Sequence, residues 1–479
     1  MATTKTLDLA DFDQQLHKVF EMIQHYTKNI THNPVAPRIS YSELAVLLEE
    51  GLPTASMDMN TLLDQFNGKI VPYCVKMGHP RFLAWLLTSP SPAGTLGELL
   101  SVAVNQIPAM YKSSPAATVV EELVIKWFGE MFGYQKNFGG ILTSGGTAAT
   151  IIGLAVAREV HFPGAMKQGI YGMTKRPVMY VSDQGHSSVE RAAAVLGIGS
   201  QAVRRIPTDS HFRMDIKALE EAIKQDMAAG FAPFCVVAQV GSTNTGSVDP
   251  IRQLADLCKL HHLWLHIDAA YGGGAILTTT GRTLLEGIEQ ADSIATDPHK
   301  WFFTPAEAGC VLIKNKQQLY DTFKGHEGSL ADEAAPDLMN YGLQCTRASK
   351  AFKIWFAFKA YGLHTIAQIV EQNMAMAQSF KTKLAETKGW HILAPVALSV
   401  VCFRYVPDQE LTALQLNELQ LQLLKVVEDS GEAFFTAAGL RGTVVLRVCF
   451  ANHRTTMHDM EMVIGLLNKA VASTLGHSN

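Results

Sequence analysis

Residues 263–301 read LWLHIDAAYGGGAILTTTGRTLLEGIEQADSIATDPHKW, and this stretch decides the fold. One short apolar run, WLHID, ends on Asp268. A second, DSIATDP, runs straight into His299 and Lys300, and Lys300 lies 32 residues after Asp268. Two strand-like runs that end on an acid and a lysine can hold one flat ring between them. The lysine forms a Schiff base with an aldehyde, and the acid keeps a pyridine nitrogen protonated. That combination suits pyridoxal 5'-phosphate, which is the expected cofactor. Asp297 and His299 lie beside the lysine and are expected to touch the same group.

Upstream and downstream of this stretch the chain alternates. PVMYVSD, AVRRIPT, FCVVAQVGST, WLHIDAAY, DSIATDP and GCVLIK read as strands. SSVERAAAVLG, DIKALEEAIKQDMAAG and DPIRQLADLCKLHHL read as helices between them. Short apolar strands separated by helices predict a mostly parallel sheet covered by helices on both faces, an α/β fold. Ligands of such sheets sit beyond the carboxyl ends of the strands. His186, Thr243, Asp268 and the His299-Lys300 pair all fall at such ends. GGILTSGGTAATIIGLAVAR adds Ser144, Gly145, Gly146 and Thr147 just before a helix. Backbone N–H groups at a helix N-terminus attract a phosphate. The run is neither GxGxxG nor a P-loop, so its weight comes from the phosphate that the Lys300 cofactor carries.

The flanks have other patterns. Phe12, Leu16, Val19, Phe20, Ile23 and Tyr26 share one helical face near the N-terminus, and that apolar stripe must pack on the protein body or on a second subunit. The stretch 79–134 is rich in aromatics and prolines and turns helical from Pro115. Its Phe82, Trp85 and Tyr111 are either core or the wall of an apolar substrate pocket. Residues 324–349 are polar and aperiodic, either a lid or a surface excursion. From Lys350 a long helix runs to about Lys388, followed by strand, helix, strand and helix. Three parts are therefore expected: an N-terminal helical segment (1–85), a large cofactor-binding α/β domain (86–349) and a small C-terminal α+β domain (350–479).

Composition narrows the function classes. With 40 Lys+Arg against 44 Asp+Glu the net charge is −4, which gives no electrostatic case for nucleic acid or an anionic membrane. The seven cysteines are scattered without CxxC or zinc-type spacing, so no metal site is expected and a reducing, cytoplasmic setting fits best. The N-terminus has no basic region followed by an apolar core, and no run is long and apolar enough to span a bilayer.

The tokens SDQGHSSVERAA, WLHIDAAYGG and DPHKWFF together resemble the group II pyridoxal-phosphate decarboxylases, among them the aromatic-L-amino-acid decarboxylases. The likeness runs from HPRFLAW to LRVCFAN. It implies a fold-type I enzyme and an intertwined homodimer, with the N-terminal segment crossing the interface. It also implies Lys300 as the Schiff-base lysine, Asp268 as the partner of the ring nitrogen and His186 stacked on the ring. Thr243 would lie on the other face, Gly145, Gly146 and Thr147 at the phosphate, and Thr88 near the substrate carboxylate. The family's lid tyrosine, donor of the Cα proton, falls on Leu338 here, with Tyr341 three residues on as the substitute donor. Met77, Leu86 and Ala109 stand where aromatic-specific relatives carry bulky pocket residues, while Trp85 is kept.

The resemblance thus implies decarboxylation of a neutral L-amino acid, aromatic ones included, to amine and CO2. If no tyrosine serves, an aldehyde-forming oxidative outcome is the alternative. A pyridoxal-phosphate-binding protein without turnover lies outside both. Arg81 as a receptor for a second substrate carboxylate, and Arg447 as a transaminase-type clamp, stay open against plainer structural roles.

Overall fold

Seven short strands rich in Val, Ile, Leu and Ala form the central sheet of the computed structural model, which describes residues 7, 9, 11–325 and 335–476. They are β1 (Gly139–Thr143), β2 (Pro177–Ser182), β3 (Val203–Ile206), β4 (Ala232–Gln239), β5 (Trp264–Asp268), β6 (Ser293–Thr296) and β7 (Gly309–Ile313). Their order is β1-β7-β6-β5-β4-β2-β3. β6, β5, β4, β2 and β3 run parallel, and β7 pairs antiparallel with both of its neighbours.

Alternate residues of each strand feed opposite layers, as the pleat requires. Val178, Tyr180, Val236, Leu265 and Ile267 enter one apolar cluster. Met179, Val181, Cys235, Val237 and Trp264 enter the other. With both faces covered, β2, β5 and β7 carry no exposed position. The helix Gly146–His161 lies on the second face through Ala149, Ile152 and Leu154.

The helix Ala351–Ala385 links the two halves of the molecule. Ile354, Ala357 and Phe358 pack with the large sheet, whereas Met376, Ala377, Phe380 and Leu384 pack with the C-terminal one. A continuous helix was expected there. Gly362 breaks it, at φ 71° and ψ 151°, a conformation open to glycine and costly for side-chain-bearing residues. The C-terminal sheet comprises β8 (Trp390–Ile392), β9 (Val400–Tyr405), β10 (Thr436–Leu440) and β11 (Thr443–Cys449) in the antiparallel order β10-β11-β9-β8. Helices Ala413–Ser430 and Met457–Leu475 cover it. The strand β10 was not foreseen. It is joined to β11 by Arg441 and Gly442, both at positive φ, as a tight two-residue hairpin requires.

The segment before the large sheet is stitched to the C-terminal part. Leu83 donates its N–H to Phe434 at 2.8 Å and accepts one from Cys449 at 2.9 Å. The helix Phe12–Lys28 has no buried residue, and Phe12, Leu16 and Phe20 stand exposed. Among the described residues no helix is long and apolar enough to cross a membrane.

Candidate active site

A cavity of about 510 Å³ opens at one end of the central sheet, where β1, β2, β4, β5 and β6 each deliver one part of its wall. Ser144 to Thr147 follow β1, His186 follows β2, and Gln239, Gly241 and Thr243 come from the end of β4. Asp268 closes β5, and Asp297, His299 and Lys300 follow β6. Trp85, Leu86, Leu87, Tyr271 and Glu307 complete the lining.

Lys300 is held by the local sequence. Its backbone N–H donates to the Asp297 carbonyl at 2.8 Å, and its Nζ lies 3.0 Å from Asp297 Oδ2. The next three residues, Trp301, Phe302 and Phe303, are buried and anchor the turn. Trp301 stacks on Tyr271 at 4.9 Å and donates to Asn373 at 3.0 Å. Thr88 works from behind: its hydroxyl donates to the Lys300 carbonyl at 2.7 Å and to that of His299 at 3.2 Å. The turn is thus fixed at its backbone, and the amine projects into the cavity.

Asp268 sits in register beside Gln239 and Ala295, and its Oδ1 accepts the Ala270 N–H at 3.2 Å. Two residues earlier on the same face, His266 is fully buried and bonded through Nδ1 to Ser293 Oγ at 2.7 Å. Burial pushes this imidazole down to about 4, so it stays neutral beneath the carboxylate. His186 is exposed, with Nδ1 accepting the Ser188 N–H at 3.1 Å. The Thr243 carbonyl accepts from Arg447, which is buried on β11 and therefore lies behind the cavity wall.

Several features fit a flat phosphorylated ring. The helix Gly146–His161 points its N-terminus at the cavity with no side-chain cap, so its first N–H groups are free for an anion. A Cβ at Gly146 would meet Asp297 Oδ2 at 3.1 Å and Ala270 Cβ at 3.2 Å, so glycine lets the helix end approach closely. Asp297 Oδ1 and Gln239 Nε2 line the site buried without a hydrogen-bond partner. Such orphaned groups are costly unless a ligand completes them.

Of the residues singled out from sequence, Gly145, Gly146, Thr147, His186, Thr243, Asp268, Asp297, His299, Lys300 and Trp85 come together around this cavity. Thr88 stands behind the lysine turn. Met77 is 42% exposed and does not line the cavity. Tyr341 and Leu338 are buried elsewhere, at a separate cavity walled by the helix Pro115–Met131 and Lys316. Residues 326–334 of the aperiodic stretch lie outside the described residues. Arg81 pairs with Asp459 at 3.3 Å, a structural link to the C-terminal helix. Sequence reasoning passed over Gln239 and Glu307. Gln239 had a signal, being the polar residue at the end of an apolar strand. Glu307, inside TPAEAG, had none.

Residues 42–406 match the family model described as the pyridoxal-dependent decarboxylase conserved domain. The chain belongs to this family and is a pyridoxal-phosphate-dependent carboxy-lyase. It is 32% identical to an aromatic-L-amino-acid decarboxylase of Bacillus atrophaeus over 97% of this chain and 96% of that protein. It is also 30% identical to a phenylacetaldehyde synthase of a Rosa hybrid cultivar, over 93% of this chain and 90% of that one. Among solved structures, that of Oryza sativa TDC with PLP and tryptamine superposes with a TM-score of 0.92 at 26% identity, covering 98% of this chain and 100% of that one.

Proposed function

We propose that the substrate is a neutral aromatic L-amino acid, converted to its amine and CO2. The observation that carries this reading is the cavity lining. Trp85, Leu86 and Leu87 make an apolar wall, and Lys300 is the single Lys or Arg among the described lining residues. An acidic substrate side chain would need a second cation that this lining lacks. The names of the relatives, aromatic-L-amino-acid and tyrosine decarboxylases among them, point the same way.

Pyridoxal phosphate supplies an electron sink for the bond to the departing carboxylate. The chain's residues do the rest. Lys300 presents Nζ at the cavity floor and returns it there after each turnover. The Asp268 carboxylate holds a proton on the ring nitrogen. The helix N-terminus at Gly146 and Thr147 neutralises the phosphate, with Gly145 and His299 beside it. His186 and Thr243, both on the cavity wall, would border the bound ring, and Asp297 keeps Lys300 oriented. Thr88 fixes the height of the lysine turn. The apolar wall excludes water and seats the side chain.

The fate of the Cα proton favours a second reading. Tyr271 is the one tyrosine among the described lining residues, and its hydroxyl is already bonded to Ser399. Tyr341 and Leu338 face the other cavity. Among the described residues no free phenol lines this cavity, so O2 could take up the two electrons left when CO2 departs, in place of a proton delivered at Cα. Water then completes the reaction to aldehyde, CO2, ammonia and H2O2. A phenylacetaldehyde synthase stands among the relatives. Exposed Phe12, Leu16 and Phe20, together with Leu96, Leu100 and Val104 of the helix Pro92–Val104, support a homodimer in which a partner covers these faces.

The test is incubation of the cofactor-loaded enzyme in air with a panel of L-amino acids, measuring CO2, amine and peroxide together. CO2 matched by aromatic amine supports the first reading, and CO2 matched by peroxide and aldehyde the second. CO2 from acidic amino acids alone would overturn the aromatic assignment.

A further inference from the structure

A third cavity, of about 730 Å³, lies away from Lys300, between the end of the helix Phe12–Lys28 and the turns at 66–76. Lys76 lines it and is only 6% exposed. Its backbone is clipped in place, donating to the Val35 carbonyl at 2.8 Å. Among the described residues its ammonium makes no ion pair and no hydrogen bond. Every other lysine with a side chain this buried has an acid in reach: Lys350 meets Glu307 at 3.2 Å, and Lys353 meets Glu98 at 3.0 Å. Among the described residues no Asp or Glu lines the Lys76 cavity, whereas Arg38 and His25 do. Burial lowers the Lys76 ammonium from its ordinary value, and no acid among the described lining residues offsets that cost, so an anion entering the cavity would do so.

The rest of the lining defines the ligand. Tyr26, Tyr73, Ile30, Val71, Pro34 and Pro72 give an apolar surface, and Asn29, Asn33 and Asn67 set amide groups beside it. Burial raises the Tyr26 phenol above its ordinary value, so it remains a neutral hydrogen-bond donor. We propose that this cavity is a second binding site, for a small organic anion whose carboxylate pairs with Lys76 and whose apolar body packs between Tyr26 and Tyr73. Arg38 lines this cavity and also borders a neighbouring cleft with Glu428 and Asp429. The site is independent of the cofactor cavity and of the decarboxylation assigned there.

The test uses the cofactor-loaded enzyme with benzoate as probe, and acetate and inorganic phosphate as comparators. Lys76 acylation by acetic anhydride, read by peptide mass spectrometry, is expected to be slowed by benzoate more than by either comparator at equal ionic strength. Lys76→Met should weaken benzoate binding in calorimetry by about tenfold or more, since a charge-assisted bond is lost. Lys76→Arg should retain binding. Both variants should keep the cofactor absorbance and turnover of the parent, which also shows that they fold. Equal benzoate affinity in Lys76→Met, or no protection of Lys76, would overturn the proposal. So would Lys76 that becomes reactive only on dilution to monomer, because a second copy would then be the occupant. Protection by phosphate alone would overturn the apolar part of the assignment.

Discussion

The cavity at Lys300 and the cavity at Tyr341 differ in how they are built. The first gathers residues from the ends of five structural units, all aimed inward along one sheet edge. The second lies behind β1, where Tyr341 packs against Tyr320 at 5.6 Å and beneath the Lys316 ammonium at 5.4 Å. Arg347 pins the same segment, pairing with the buried Glu121 at 2.7 Å, while Glu121 also accepts the Leu142 N–H at 3.0 Å. Asp337 accepts from the Tyr111 N–H at 3.1 Å, and Met339 donates to the Ala109 carbonyl at 3.0 Å. The difference separates two properties. Cofactor chemistry is written into one chain's strand ends. On the proposed reading, the fate of the reaction depends on a segment that, in this chain, faces away from its own lysine.

Substitutions can break this separation. Lys300→Ala should cost the most, about 10⁴-fold in turnover, with loss of the visible cofactor band and little change in thermal midpoint. A normal band in that variant would mean another lysine carries the cofactor. Next comes Arg347→Met, which leaves Glu121 charged and unpaired in the core. A stability loss of about 3–5 kcal/mol is expected in denaturant titration, because breaking a buried pair strands its partner. Retention of parental stability would show that the segment is not anchored as described.

Acid should weaken the whole molecule. Burial lowers His79, His266 and His453 to about 4. Their folded values lie below the ordinary imidazole value, so the unfolded chain binds more protons between pH 6.5 and 4. Stability is therefore present above that window and falls as pH drops through it, by up to about 3 kcal/mol for one fully desolvated imidazole. Buried Asp249 works in the opposite sense: burial raises it to about 6, so it favours the fold as pH falls from 6 towards 4. Asp292 and Glu428, also raised by burial, act with Asp249, and the three large histidine shifts outweigh them to leave a net loss. His266→Asn should flatten the urea midpoint against pH, and an unchanged slope would remove His266 from the account. Thr88→Val should have the smallest effect, about tenfold in turnover, from loosening the two carbonyls behind Lys300. Leu338→Tyr in an aldehyde-producing enzyme should shift product towards amine only if this segment reaches a lysine in a partner subunit.

Much of the first cavity could be read from the sequence because its logic is local. An apolar strand followed at once by Asp, His-Lys or Gly-Gly-Thr announces a ligand edge, and β1, β2, β5 and β6 carry that pattern. Elsewhere the signal is weaker. β10, TAAGL, is made of small residues with little strand preference, and its pairing with β11 supplies what its own sequence does not. Gly362 looks like a tolerated helix glycine until its positive φ is seen. Met77 adjoins the HPRFLAWLLT run that carries Trp85 and Thr88, yet the backbone turns it outward, and linear proximity has no means of showing that. Lys76 shows the same limit in reverse. Nothing in VPYCVKMGH marks its lysine, and only the fold reveals it nearly buried without an acid.

The central claim is that Lys300 carries the cofactor at the carboxyl edge of the parallel sheet. Borohydride reduction of the pyridoxal-phosphate-loaded enzyme, followed by peptide mass spectrometry, tests it directly. The account predicts a pyridoxyl group on Lys300 alone, with stoichiometry near one per chain. A label on any other lysine, or none on a protein that shows the cofactor's visible band, would contradict it.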